Sequence, residues 1–227
     1  MTTSPTQRLR VVVFGGTGRT GTHIARKAVH DGHAVVCVGR SATQASVCPG
    51  SEAFAADVQD ADAVANVLKG ADVAVIALSI PRRTSSPFAP VVGPKNLHSV
   101  SMQRILDGCR VAGVSKVVKL SAQGVGDSAP RAGLAFRVLI QVSNLRYAFS
   151  DHAVADQLLA TSEVDWTIVR PPILSDAPGT GSLRAGETLR TTTRTQVPRS
   201  DVADFVVSCF GDPTWSNRCV TLAPATS

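Results

Sequence analysis

The segment Gly15-Gly16-Thr17-Gly18-Arg19-Thr20-Gly21 constrains this chain more than any other feature, because it lies directly behind the β-branched run Leu9 to Phe14 (LRVVVF). Such a run is typical of strands buried on both faces of a parallel sheet. A helical pattern follows to about Asp31, with Ile24, Ala25, Ala28 and Val29 as its apolar stripe and Gly32 as its stop. The glycines satisfy both G-x-x-G-x-x-G and G-x-G-x-x-G. The first two permit a tight turn, and Gly18 lets a diphosphate approach bare backbone N–H groups. Gly21 lets the helix pack closely on the sheet. The helix N-terminus then turns unpaired donors and the positive end of its dipole towards phosphate. Strand, turn and helix in this order mark a dinucleotide-binding loop.

The same alternation continues along the chain. Strands are expected at Ala34 to Val38, Glu52 to Val58, Asp72 to Leu78, Lys116 to Ser121, Asp165 to Arg170 and Arg218 to Ala223. Asp60 caps a helix with Val64, Val67 and Leu68 inward, and another helix runs from about Ser99 to Ala112. A long loop, Pro81 to Lys95, separates them. Helical character returns from about Phe136, breaks near Ser150-Asp151 and restarts to Ala160. Pro171-Pro172 stops the sixth strand, and the stretch to Pro198 is Gly/Thr/Arg-rich without a period. Ser200 caps a last helix to Phe210. Parallel strands need helical crossovers, so the expected fold is α/β: a doubly wound, mostly parallel sheet. We expect one domain over residues 1–227. Its dinucleotide-binding core spans about 9–170, and a small irregular substrate-side lobe spans about 171–200.

Composition narrows the function. With 44% hydrophobic and 18% charged residues, the 227-residue chain is neither disordered nor fibrous. Aromatics at 4% argue against base-stacking modules. The formal charge is +6, but the basic residues are scattered without a run, which suits anionic small ligands rather than nucleic acid. Met1 to Arg10 carries no apolar leader pattern, and no apolar run reaches the ~18 residues of a membrane span. A cytoplasmic setting without a membrane partner is expected. The five cysteines lack metal-type spacing. Cys37, Cys109 and Cys209 read as small buried hydrophobes, Cys48 as an exposed loop residue, and no metal is expected.

The second strand chooses the nucleotide. Dinucleotide sheets that take NAD place Asp or Glu at its end to bind the ribose 2′-OH. Here it ends Val38-Gly39-Arg40-Ser41, and no carboxylate follows until Glu52. Arg40, joined by Arg19, is the candidate for a 2′-phosphate, so NADP(H) is the expected cofactor. Further contacts fall at the carboxyl ends of parallel strands. These are Asp57 and Val58, then Ala77, Leu78 and Ser79, then Ser121, then Pro171 to Leu174 with Ile173 among them. With Gly15, Thr17, Gly18, Arg19, Thr20 and Gly21 they form the candidate cofactor set. Arg82 and Arg83 are read either as anion contacts or as a solvated loop.

Three segments taken together resemble the atypical short-chain dehydrogenase/reductases: Gly15 to Gly21, Asp165-Trp166-Thr167-Ile168-Val169-Arg170-Pro171-Pro172, and Arg199-Ser200-Asp201-Val202-Ala203-Asp204-Phe205. Ser150-Asp151-His152 with Leu158-Leu159 fits the same pattern. The resemblance covers about residues 9 to 223. Among them the chain resembles the NAD(P)H-binding group that includes NADPH-dependent flavin reductase (biliverdin-IXβ reductase), and it is also similar to averufin-oxidase-like fungal proteins. It implies a Rossmann fold, NADPH binding and hydride transfer, and places His152 near the pocket. The chain departs from its relatives at three points. The Tyr-x-x-x-Lys pair of short-chain enzymes is missing, since Tyr147 is followed at the fourth place by Asp151. Ile173 stands where flavin-reductase relatives have His, and Ala122 follows Ser121 where they often pair hydroxyls. Ser121, His152 and Tyr147 remain the catalytic candidates. A flat conjugated acceptor (flavin, quinone, tetrapyrrole or polyketide intermediate) can take its proton from water and tolerates this thin equipment. A non-catalytic NADP(H)-sensing regulator and a cofactor-binding isomerase or dehydratase are the alternatives.

Overall fold

Short β-branched runs lie side by side in the computed structural model, which describes residues 7–225. The leader reading at Met1 to Arg10 and the 1–227 domain bounds extend in part outside the described residues. The strands of the main sheet are β1 (Arg10–Phe14), β2 (Ala34–Gly39), β3 (Ser51–Ala55), β4 (Val73–Ile76), β5 (Lys116–Leu120), β6 (Asp165–Arg170), β8 (Leu183–Gly186) and β10 (Arg218–Pro224). Their order is β3-β2-β1-β4-β5-β6-β10-β8, and every neighbouring pair is parallel except β10 with β8. The chain winds outward from β1 to β3, then returns to lay β4 on the other side of β1. That reversal opens a crevice at the carboxyl ends of β1 and β4.

Helices cover both faces, as right-handed crossovers require. On one side α1 (Arg19–His30) packs beside α6 (Arg199–Ser208), with Ile24, Ala28, Val202 and Val206 against Val11 and Val13. On the other side α2 (Ala61–Val67), α3 (Leu97–Ala112) and α5 (Leu145–Ala160) bury Val64, Met102, Ile105 and Leu159 against Val12 and Phe14. Asp60 caps α2 as expected, its side chain accepting from the N–H groups of Asp62 and Ala63. The fold is therefore a Rossmann-like α/β sheet, mostly parallel.

Four expectations need correction. The helical break falls at Ser143-Asn144, between α4 (Leu134–Val142) and α5, not at Ser150-Asp151. Asn144 leaves the helix to donate through Nδ2 to the carbonyls of Phe88 and Ala89, at 3.0 and 3.1 Å. The segment 171–200 is not irregular throughout. It holds β7 (Ile173–Ser175) paired with β9 (Gln196–Pro198), and it supplies β8 to the main sheet. These strands of three or four residues are too short to show a period. Ser200 does not cap α6. Pro198 stands at that position, and Asp201 in the first turn instead accepts from the Thr180 N–H at 2.9 Å and its hydroxyl at 2.7 Å. Cys48 is buried rather than exposed, beside the Ser51 hydroxyl. Among the described residues, no helix is long and apolar enough to cross a membrane.

Candidate cofactor and substrate cleft

The glycine loop is shaped by close backbone approaches. Gly15 has φ +83°, a left-handed conformation, and a Cβ there would stand 2.6 Å from the Ala77 carbonyl oxygen. A Cβ on Gly21 would stand 2.0 Å from the Gly15 carbonyl oxygen, so only glycine lets α1 start this close to the turn. Gly18 caps α1 with extended backbone and no side-chain hydrogen bond. The N–H groups of the first turn have no partner within the helix. This bare, positively polarised rim fits a pyrophosphate, so the residues present match a dinucleotide.

Around the loop lies a groove with two halves. The first, about 320 Å³, runs over Gly15, Thr17 and Gly18, past Gly39-Arg40 at the end of β2 and the 56–59 turn after β3. Asp57 and Val58 line it, as do Ala77, Leu78 and Ser79 after β4, with Pro81, Pro94 and Leu97 opposite. Arg40 is exposed at its edge. Asp57 accepts from the Gln59 N–H through Oδ1 at 2.9 Å, a bond within the turn that leaves its other carboxylate oxygen without a partner in that bond.

The second half, about 370 Å³, shares Gly18 and Ala77 to Ser79 with the first. It adds Arg19, Thr20, Leu120, Ser121, His152, Pro171, Leu174 and Arg199. Arg19 therefore parts company with Arg40. Its guanidinium pairs with Asp176, which also holds Arg199 at 2.5 Å. Ile173 sits on the exposed side of β7, and Leu174, its neighbour on the alternating strand, lines the groove instead. Tyr147 lines neither half. It is stacked under Lys95, 3.8 Å from the ring centroid, and its hydroxyl accepts from Arg146, which lowers its pKa. Arg82 and Arg83 line neither half and are held in the long loop by an Arg82–Val91 bridge and the Arg83 N–H bond to Pro90.

Beneath Ser121 and His152 is a buried ionic cluster that local sequence patterns do not reveal. Lys119 of β5 is fully buried and donates to Asp156 Oδ1 at 2.6 Å, and its Nζ lies 3.0 Å from His152 Nδ1. Asp156 Oδ2 also accepts from Ser121 Oγ at 2.9 Å and from Arg170 at 3.2 Å, and Arg170 leans on Asp127 at 2.6 Å. Ser121 thus spends its proton on a carboxylate, a stronger acceptor than a neutral group, and offers the groove lone pairs rather than a donor. His152 does not start a helix. It lies in the third turn of α5, half-buried and stacked on His98 at 3.7 Å between centroids. Burial, then the Lys119 ammonium, then His98 hold its pKa well below the usual 6.5. It is a neutral imidazole, not the pH-poised acid its type suggests. Burial and Lys119 likewise push His98 down to about 3. Asp151, just before His152, accepts from the N–H groups of His98 at 2.6 Å and Ser99 at 3.1 Å, and so caps α3 from another helix. A lysine inside an apolar parallel strand, with an acid four residues beyond a histidine, was the available signal for this cluster.

The comparisons with known proteins agree with this geometry. A family model described as NAD(P)H-binding matches residues 15–213. An uncharacterized chloroplastic protein of Arabidopsis thaliana is 28% identical over 224 residues, covering 90% of this chain. The chain spans 66% of that protein's length, just under two thirds. Among solved structures, ChuY, an anaerobillin reductase from Escherichia coli O157:H7, matches with a TM-score of 0.77 at 21% identity, covering 96% of this chain and 98% of that one. A short-chain dehydrogenase/reductase of Veillonella parvula in complex with NADP matches with a TM-score of 0.76 at 14% identity, covering 96% and 95%. At these identities the two solved structures share the fold.

Proposed function

The chain belongs to the NAD(P)H-binding family, and we propose that it is an NADPH-dependent reductase of a small, flat, conjugated acceptor: a flavin, quinone, tetrapyrrole or polyketide intermediate. The observation that carries this reading is the two-part groove, in which a nucleotide-shaped half joins a half lined by an imidazole and two guanidiniums. Gly15 to Thr20 would hold the pyrophosphate, Asp57 and Val58 the adenosine end, and Arg40 the 2′-phosphate that separates NADP from NAD. Bound there, the nicotinamide cofactor supplies a hydride. Ser121, whose proton is committed to Asp156, would accept from an amide or ring N–H and so orient whatever lies at the end of β5. Arg19 and Arg199 share the single carboxylate of Asp176, and the positive charge left over favours an acceptor that carries a carboxylate or phosphate. Leu120, Pro171 and Leu174 give it apolar walls for a flat ring. Tyr147, which lines neither half, is given no role in this reading.

The test is NADPH oxidation by the purified protein with flavins, quinones and biliverdin as acceptors. Turnover faster than free solution with at least one of them is expected. If none is reduced faster, the reading fails, and binding without turnover would favour the regulatory alternative.

A further inference from the structure

The glycine loop has no need of Lys119, and the packing does not ask for it either. Its partners in register on β4 and β6 are Ile76 and Ile168, both aliphatic. Burying an ammonium there costs several kcal/mol before compensation. The compensation is specific. Asp156 takes one N–H and His152 Nδ1 faces another. Lys119 therefore settles which nitrogen of the neutral ring bears the proton: Nδ1 accepts, so Nε2 carries the hydrogen, on a ring that lines the groove. The groups facing this pair come from every neighbouring element. They are Asp151 and Asp156 on α5, His98 on α3, Ser121 just past β5, and Arg170 on β6 with Asp127 and Cys219 beside it.

We propose that Asp156, Lys119 and His152 form a proton relay, in which Lys119 holds His152 in its Nε2–H form and replaces the proton that His152 gives to the reduced acceptor. The inference rests on the reductase reading above. A neutral acceptor that takes a hydride gains one negative charge. The Nε2–H bond of His152 breaks as the acceptor's new O–H or N–H bond forms. At the same time Nδ1 takes a proton from Lys119 Nζ, leaving a neutral amine beside Asp156. A proton from solvent then enters at Nε2 from the groove while Nδ1 returns its proton to Lys119, which restores both the ammonium and the Nε2–H ring; no other oxidant or reductant is needed. The imidazole never becomes a cation, which its burial disfavours. Lys119 touches neither reactant and acts as a positioning and proton-supplying residue.

Lys119→Met separates this role from a structural one. With a neutral naphthoquinone, kcat is expected to fall about 100-fold at unchanged KM for NADPH. With the N-methylphenazinium cation, which is neutral after accepting hydride and needs no proton, the rate stays close to wild type. Equal loss with both acceptors, or with neither, overturns the relay. A wild-type protein that reduces no acceptor overturns the reductase reading instead. A second readout needs no cofactor. In ¹⁵N NMR of the ligand-free protein, His152 is expected as the Nε2–H tautomer, still uncharged where an ordinary histidine is already protonated. Lys119→Arg keeps that form, and Lys119→Met mixes the tautomers. An Nδ1–H form in the wild type overturns the relay, whatever the kinetics show.

Discussion

The two halves of the groove are built by opposite means. The nucleotide half is made of backbone: glycines that let chain approach chain, strand ends and a bare helix start, with Arg40 as its one cation at the rim. The acceptor half is lined by side chains of α1, α5, β7 and α6 and of the ends of β5 and β6, above an ionic core. The first is centred on one run of neighbouring glycines at the strand–helix turn, and the second on side chains that meet from tens of positions apart. Steric exclusion therefore governs one half, and charge balance governs the other.

Four measurements break or sharpen that contrast. Asp156→Ala leaves Lys119 buried beside an unpaired neighbour, so urea unfolding should show a loss of about 3–5 kcal/mol. A loss below about 1 kcal/mol would mean the acceptor half does not depend on charge balance. Acid gives the next effect. His98 and His152 are held neutral in the folded protein, so the unfolded chain binds more protons at low pH. Stability is full above the unfolded pKa of 6.5 and falls as pH drops from there towards the folded value, about 3 for His98. By one pH unit below 6.5 the two together should remove about 2–3 kcal/mol. His98→Phe keeps a stacked ring and should remove about half of that dependence in thermal melts.

Gly21→Ala tests the steric half. Its methyl group meets the Gly15 carbonyl, so stability should fall by about 1–3 kcal/mol. Cofactor affinity, read by fluorescence titration, should drop while the His152 tautomer stays unchanged. Arg40→Glu should be the mildest, weakening NADPH binding about tenfold more than NADH binding. Equal weakening of both nucleotides would remove the 2′-phosphate role.

Legibility in the sequence follows the same divide. The β1–α1 loop, the order of strands and helices and the place of residues 57–58 and 77–79 along the groove depend on local pattern and were readable. The end of α4 was not, because Asn144 leaves the helix for carbonyls more than fifty residues away. Ser150-Asp151 imitates a helix start, yet Asp151 caps a different helix. Arg19 looked like a companion of Arg40, but Asp176, 157 residues on, draws it to the other half. Residue type alone also misjudged His152, whose titration is set by Lys119 and burial.

Asp151 has a consequence for how this region can change over time. One carboxylate holds the first turn of α3, which carries His98, and it belongs to the helix that carries His152. Positions 98, 151 and 152 thus form an epistatic unit: a replacement tolerated at one becomes harmful or harmless according to the other two. Drift through this part of the molecule must proceed by concerted steps.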